Sequence, residues 1–380
     1  MIKTFTKILS TILFLFLSFI GYFSFIGFET TKFNNQIKEN LKKIDSNLDV
    51  KLNDVKILLD IKNFNINAKT LGPNISYQKK IIEVELIKSE ISLINLFNKE
   101  FSLSNLFIST KSVKLKDMIA FIRAVSNENK AELFILENFI NKGYLIADIN
   151  LNFDEQGNIR EDFKINGLVK DGSINLLNKS KINKIDFIFE SQNKNFILND
   201  LKLSYDKINF NSQEIKIENQ GKLINIEGQI NNNQVILKEE FLENFFSPFL
   251  EINLKNLGFS SKNKFIFKVN RKFKIVDYQI KSLLDINEGL LKNDVDLKKI
   301  FPNSLPEIKL KNHKLEIVYK NKNLTINGDG ELLIQKNYDQ LRYKIKKNKD
   351  FYLFDIDLDI IDNPVILSSL NYKTDDQSKT

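Results

Sequence analysis

The chain has no cysteine, no tryptophan, one histidine, two methionines and five prolines in 380 residues. Without cysteine there are no disulfides, no thiolate nucleophiles and no cysteine-ligated zinc. The composition suits a compartment in which stray thiols would be oxidised, and equally fits many cytosolic proteins. With one histidine, His-rich metal sites and a Ser-His-Asp triad drop out of consideration. That residue, His313, stands between Asn312 and Lys314 and reads as a surface residue in a turn or at a strand start. No G-x-G-x-x-G, Walker loop or G-x-S-x-G is present. The expectation is therefore a non-enzyme with no catalytic residue, no metal and no cofactor. Proline is scarce and there is no Ser/Gly-rich linker or low-complexity tract, so domain boundaries are soft. Heavy use of Lys, Asn and Ile matches an AT-rich coding sequence and carries no functional information.

Charge of one sign is not segregated either. The net charge of +8 and pI near 9.1 raise the question of nucleic acid or an anionic surface. Lys, however, alternates with Asn, Asp and Glu along the whole chain, as on solvent-facing strand positions, and no basic helix appears. Nucleic acid is not an expected partner. At 42% apolar and 27% charged residues, the chain is too hydrophobic to be disordered.

One long uncharged run is present. From Ile8 to Phe28 no charge falls between Lys7 and Glu29, and this length of helix at 1.5 Å per residue covers about 32 Å, enough for a hydrocarbon core of about 30 Å. A cleaved signal peptide would have an apolar core of about 7–15 residues ending at small residues. Here the run ends in Phe25-Ile26-Gly27-Phe28, so the segment reads as an uncleaved anchor, with Ile8, Leu15, Phe16 and Phe28 among its residues. Lys3 and Lys7 precede it with no acid, which places the N-terminus in the cytoplasm. Lys32, Lys38, Lys42 and Lys43 on the far flank temper that bias. The expected localisation is a single-pass inner-membrane protein with its bulk in the periplasm.

The rest is written in period two. Apolar residues recur at every second position, then break at Asn, Gly or Lys clusters, which marks strands with one apolar and one polar face. Val55, Ile57, Leu59 and Ile61 share a face. Phe187 and Phe189 oppose Asp186 and Glu190. Phe265, Phe267 and Val269 form a third set, and Leu315, Ile317 and Tyr319 a fourth. Tyr352, Phe354, Ile356 and Leu358 oppose Asp355, Asp357 and Asp359. Those three aspartates resemble a cation site, but the EF-hand glycine and closing Glu are missing, and a solvated outer face is expected. Turn-like clusters lie at Asp154–Asn158, Lys170-Asp171-Gly172, Asn231–Asn233 and Asn327–Gly330. Helical spacing is confined to Lys114–Asn127, Lys130–Asn141, Lys238–Phe246 and Leu290–Phe301. In the third of these, Glu239, Glu240 and Glu243 beside Phe241, Phe245 and Phe246 suggest an amphipathic face. The expected fold is mainly β: a transmembrane helix, then antiparallel sheet with a few short helices. Patterning alone leaves a groove and a closed sandwich both open.

Three segments together resemble the AsmA-like family of bacterial envelope proteins (AsmA-, TamB- and YhdP-type). They are the N-terminal helix followed closely by strands, Ile82–Lys111 (IEVELIKSEISLINLFNKEFSLSNLFISTK), and the β-rich stretch Phe163–Ile217. The resemblance covers residues 1–230 best. It implies an inner-membrane anchor, an elongated periplasmic β-groove and phospholipid transport between inner and outer membrane in outer-membrane biogenesis. It also implies lipid acyl chains as ligand, and outer-membrane or periplasmic proteins as further partners. The groove lining would be Phe187, Phe189, Phe265, Phe267, Val269, Leu315, Ile317, Tyr319, Phe354, Ile356 and Leu358. The expected regions are 1–28 (tail and anchor), 29–128 (AsmA-like N-terminal β region with helix), 129–250 (central groove) and 251–380 (C-terminal groove, whose continuation past Thr380 is open). The alternative is a membrane-tethered β-rich interaction or assembly factor for outer-membrane proteins, without lipid traffic.

Replacing Leu15 and Phe16 with Lys should cost about 2.5–3.5 kcal/mol of insertion free energy per charge. Fractionation of cells expressing the double variant should find it outside the membrane pellet, and retention there at wild-type level would contradict the anchor.

Overall fold

In the computed structural model, the alternating segments pair as long antiparallel ladders and the uncharged run becomes one helix. The structure describes residues 2–374 apart from 33, 99, 101, 126–130, 176–180, 193–194, 240–241, 243–253, 271–273, 294–295, 349–350 and 361. The chain divides into two units, Met1–Asp206 and Lys207–Thr380.

The first unit opens with α1 (Ile2–Phe25). Its stretch Thr4–Phe25 has mean hydropathy 2.1 and none of the span is buried, so it is long and apolar enough to cross a membrane. The helix stops where Gly27 takes φ 67°. A Cβ there would lie 2.3 Å from the Ile57 carbonyl oxygen, so only glycine permits the approach. Phe28, counted with the anchor from sequence, instead starts β1 (Phe28–Thr30) and pairs with Ile57.

There follow α2 (Asn34–Ile44), β2 (Leu48–Lys51), β3 (Val55–Asp60), β4 (Asn65–Leu71), β5 (Asn74–Tyr77), β6 (Lys80–Ser92) and α3 (Leu93–Asn98). Next come β7 (Leu103–Thr110), β8 (Val113–Lys114), α4 (Leu115–Val125), α5 (Ala131–Phe139), β9 (Ile140–Asn152), β10 (Lys164–Asn175), β11 (Lys181–Gln192) and β12 (Asn195–Tyr205). The ladder runs β1-β3-β4-β6-β7-β9-β10-β11-β12, all antiparallel. Strand β6 is long enough to hold β5 and β4 in succession along one edge, and β9 does the same for β8 and β7.

The second unit is simpler. Strands β13 (Ile208–Gln220), β14 (Leu223–Lys238), β15 (Leu254–Asn270), β16 (Ile275–Lys292), β17 (Glu307–Lys320), β18 (Asn323–Leu333), β19 (Tyr338–Asn348) and β20 (Phe351–Asp359) each pair with the next. A small hairpin, β21 (Ile366–Leu367) and β22 (Tyr372–Lys373), follows. The reversal at Asn321-Lys322 has φ of 49° and 68°, the mirror-image turn whose twist matches a tight hairpin.

These strands are longer than the clusters of turn residues suggested. Lys170-Asp171-Gly172 is a bulge inside β10, with Asp171 at φ 52°. Asn231–Asn233 opens a bulge in β14 between Asn232 and Val235. An extra residue on one strand bends the ladder without ending it. Asn327–Gly330 is the middle of β18, where the glycines make room. Leu290–Phe301 is not a helix: β16 runs to Lys292, and only Leu297–Lys299 forms a 3-10 turn. The helices expected at Lys114–Asn127 and Lys130–Asn141 are α4 and α5, whereas α2 was not anticipated. The segment Lys238–Phe246 falls largely outside the described residues.

Buried apolar clusters close one margin of each sheet. In the first unit Ile82, Val84 and Val113 pack with Met118 and Phe121 of α4. In the second, Leu242 seats on Ile208, Leu237, Leu257 and Ile286. Phe301, Ile334 and Val365 make a third cluster where the 3-10 turn and the β20–β21 connection meet the ends of β18 and β20.

Gly330 supplies a test of this packing, since a Cβ there would stand 2.4 Å from His313 Cγ and 2.6 Å from its Cα. Gly330→Ala should destabilise the protein by about 1–3 kcal/mol, the usual cost of overpacking. Gly221→Asn, at φ 77° in open space, should be close to neutral. Thermal unfolding of the two variants checks the contrast.

Candidate functional site

The register gathers the alternating residues of the second unit onto one face. Phe265 pairs with Gly228 and Ile280, and Ile280 with Tyr319, which pairs in turn with Leu324. Ile317 continues through Ile326 and Ile345 to Phe354, and Leu315 through Gly328 and Tyr343 to Ile356. Gly330 leads through Leu341 to Leu358. Phe267 and Val269 lie on the same side of β15. All nine residues singled out in this unit therefore share one face. In the first unit Phe187 lies opposite Val169 and Leu145, and Phe189 opposite Gly167 and Ala147, again on one face.

This face is apolar but not packed away. Phe187, Phe189, Phe265, Phe267, Leu315, Ile317, Tyr319 and Leu358 are half-buried, and only Val269 is fully buried. On β20, Phe354 and Ile356 are exposed. Aromatic rings contact along strands, Phe187 and Phe189 at 6.3 Å and Phe265 and Phe267 at 5.4 Å, and between neighbouring strands, Tyr278 and Tyr319 at 5.3 Å between centroids. A hydrogen bond to Tyr278 and partial burial hold the Tyr319 hydroxyl above its ordinary pKa. In a packed sandwich such rings would be closed off at crystal-like density. Here the rings remain partly accessible.

The opposite face carries charge in rows. Asp285, Lys314, Asp329, Arg342 and Asp357 follow one another across five strands with alternating sign. Arg342 lies 2.8 Å from Asp359 and 3.7 Å from Asp357, and Asp355 faces Lys344. The aspartates expected on a wet outer face are there, paired with cations. No group of metal-binding side chains occurs among the described residues. Exposed pairs of this kind are worth up to about 1 kcal/mol each. They fix the polarity of the face more than its stability. The first unit departs from the pattern, with Ile146, Leu168 and Ile188 side by side and exposed on its outer face.

Two features escaped sequence reasoning. A polar stripe crosses the apolar face of the second unit at Asn232, Ser261, Asn263 and Ser282. Asn232, Ser261 and Asn263 are joined by hydrogen bonds. The Ser261 hydroxyl donates to Asn232 Oδ1, and Asn263 Nδ2 donates to Ser261 Oγ at 2.7 Å and to the Ile230 carbonyl at 3.1 Å. An open hollow of about 900 Å³ lies along it, lined by Asn232, Ser261, Leu284, Leu315 and Gly328 with their chain neighbours. The stripe separates the Leu242 cluster from the aromatic field. Its signal, polar residues breaking the alternation at one register on three strands, becomes visible only once the pairing is known.

The second is His313, which is not at the surface. It is 1% exposed, inside β17, opposite Ile286 and 6.3 Å from Tyr343, with Gly330 beneath the ring. A polar residue between Asn and Lys looked solvated, but two-residue alternation turns it inward while both neighbours point out. Neither ring nitrogen has a hydrogen-bond partner of normal geometry.

No family model matches the chain, and no curated protein or solved structure matches it.

Burial lowers the His313 pKa below the ordinary 6.5, against smaller opposing effects of the Lys311 backbone, Asp329 and Glu331. The unfolded chain thus takes this proton more readily than the fold. Stability is intact above the unfolded value and falls as pH drops through and below it. His313→Phe, which keeps the ring, should remove that acid-side loss. Chemical denaturation of both proteins at pH 7.5 and at pH 5.5 measures it, and an unchanged pH slope would contradict the assignment.

Proposed function

We propose that this chain is a membrane-anchored lipid carrier of the AsmA-like type. It sits in the inner membrane through α1, with its N-terminus cytoplasmic and its sheets periplasmic. The observation that carries the proposal is the apolar face. In the second unit Phe267, Ile317 and their neighbours are held half-open on one side of an antiparallel ladder whose other side bears alternating charge, and in the first unit Phe187 and Phe189 share a half-open face of their own. Such a face needs an apolar cover, and acyl chains supply one at about 0.8 kcal/mol per buried CH₂. A lipid leaving a bilayer loses the same amount, so a lining of even character lets a chain move along the sheet with little net change. The hollow of about 900 Å³ on the second unit is open rather than enclosed, which agrees with uniform, weak binding. Phospholipid moving between inner and outer membrane is the cargo this reading assigns.

A second reading, an assembly factor for outer-membrane proteins, is favoured by β20. That strand exposes Phe351, Tyr352, Leu353, Phe354 and Ile356 and pairs only with β19 among the described ladders. A client strand could add to such an edge.

A photo-crosslinking amino acid at Phe187, Phe267 or Ile317 should capture phospholipid in living cells. The same probe at Asp186, Lys268 or Glu316, on the opposite face, should not. Crosslinks to protein alone at every apolar position would favour the second reading.

A further inference from the structure

We infer that one strand-end margin of the first unit is a membrane-docking rim. It rests on the bilayer surface beside α1 and inserts its apolar side chains among the lipid head groups. The inference depends on α1 spanning the bilayer, as proposed above.

Two reversals build the rim. The β3–β4 turn is tied down by Asp60, whose carboxylate accepts hydrogen bonds from Asn63 N at 3.1 Å and Asn63 Nδ2 at 2.8 Å. Those bonds also hold its pKa below the ordinary carboxylate value. The turn displays Ile61 and Phe64 outward. Phe64 sits at φ 54°, a left-handed conformation that a bulky side chain rarely adopts and that Asn or Gly would take more easily. Asn would meet the same backbone requirement with less strain than this phenylalanine, whose side chain is 59% exposed. The second reversal joins the first directly, because Leu93 N, the start of α3, donates to the Phe64 carbonyl at 2.9 Å. That short helix exposes Ile94, Leu96 and Phe97, the last at 81%.

The membrane helix ends at the same margin. Strand β1 runs antiparallel to β3, with Phe28 opposite Ile57 and Thr30 opposite Val55. Moving back from Phe28 into α1 therefore leads towards Leu59 and the β3–β4 turn, and α1 packs against β3. Phe25, 89% exposed, completes the group. Scattered apolar residues on a surface are ordinary, but a contiguous set marks an interaction site. Here the set is continuous with the helix that enters the bilayer, so lipid is the occupant that position supplies. Exposed Lys62 between Ile61 and Phe64 adds attraction for anionic head groups. The far margin of the same sheet is sealed instead by α4 over Val84 and Val113. The docked side is thus the uncapped side of the apolar face, where an acyl chain can pass from bilayer to sheet.

Because the chain has no tryptophan, one introduced indole is a background-free probe. The full-length protein would carry Phe16→Trp, Phe64→Trp, Phe97→Trp or Ile81→Trp singly. Each variant would be reconstituted in phosphatidylcholine/phosphatidylglycerol vesicles containing lipids brominated near the head group or deep in the chain. Circular dichroism would confirm the fold of each. The indole at 16 should be quenched by deep bromines. Those at 64 and 97 should lose most of their emission to shallow bromines and shift to the blue. The indole at 81, exposed at the opposite end of β6, should stay unquenched. Quenching at 16 but not at 64 and 97 overturns the rim and leaves the anchor standing. Equal quenching at 81 means unspecific adsorption and also overturns it. Indoles at 64 and 97 shielded from both bromines and aqueous iodide would mean that the patch is covered by protein, from this chain or a second copy, and would overturn the rim. Absence of quenching at all four positions removes the membrane reading and the rim together.

Discussion

Backbone amides in these sheets are committed to their neighbours along the ladder, which leaves side chains alone to decide what each face touches. With a repeat of two, every residue is assigned to one side or the other, and a single extra residue would exchange the faces. The bulges at Lys170–Gly172 and at Asn232 therefore matter: each absorbs an insertion locally, so that Val169 and Gly172, or Asn232 and Val235, stay on the same side. The rest of the structure follows from that constraint. In the second unit one side is dressed in Lys, Asp, Arg and Glu and the other in Phe, Ile, Leu and Tyr, and the second must be covered.

The cover supplied by the chain itself is partial. Helix α4 in the first unit and Leu242 in the second each cover one margin of the unit's own sheet, and beyond them the rings stand half-open. Within that field the glycines act as floors for aromatic side chains. Gly328 lies beneath Tyr343 and Gly167 beneath Phe189, in each case closer than any Cβ would allow. A ring laid flat over a glycine presents a broad, low apolar surface. An upright ring beside a branched neighbour would fill the same space with a ridge.

Much of this was legible in residue order. The uncharged run from Ile8 became α1, the helical spacings after Lys114 and Lys130 became α4 and α5, and the alternating sets landed on shared faces. What failed was punctuation. Asn-Asn-Asn and Asn-Gly-Asp-Gly were read as reversals because those residues tolerate left-handed backbone, whereas pairing across several strands overrode that local preference. His313 was misplaced for a related reason. Type and neighbours suggested solvent, but its side was set by parity from Leu315. The polar stripe could not be seen at all, since Asn232, the Ser261/Asn263 pair and Ser282 are separated in the chain and meet only through register.

The order of pairing has a consequence for how the protein comes into being. From β9 to β12, and again from β13 to β20, each strand pairs with the one made just before it. No strand in either series waits for a distant partner. Contacts of this kind close short loops and form quickly. Each sheet series can therefore grow vectorially, one hairpin at a time, as the polypeptide emerges. Each new strand pairs as it forms, which limits the span of unpaired backbone available for aggregation. A chain delivered end-first through a narrow exit would meet its folding requirements in the order in which it arrives.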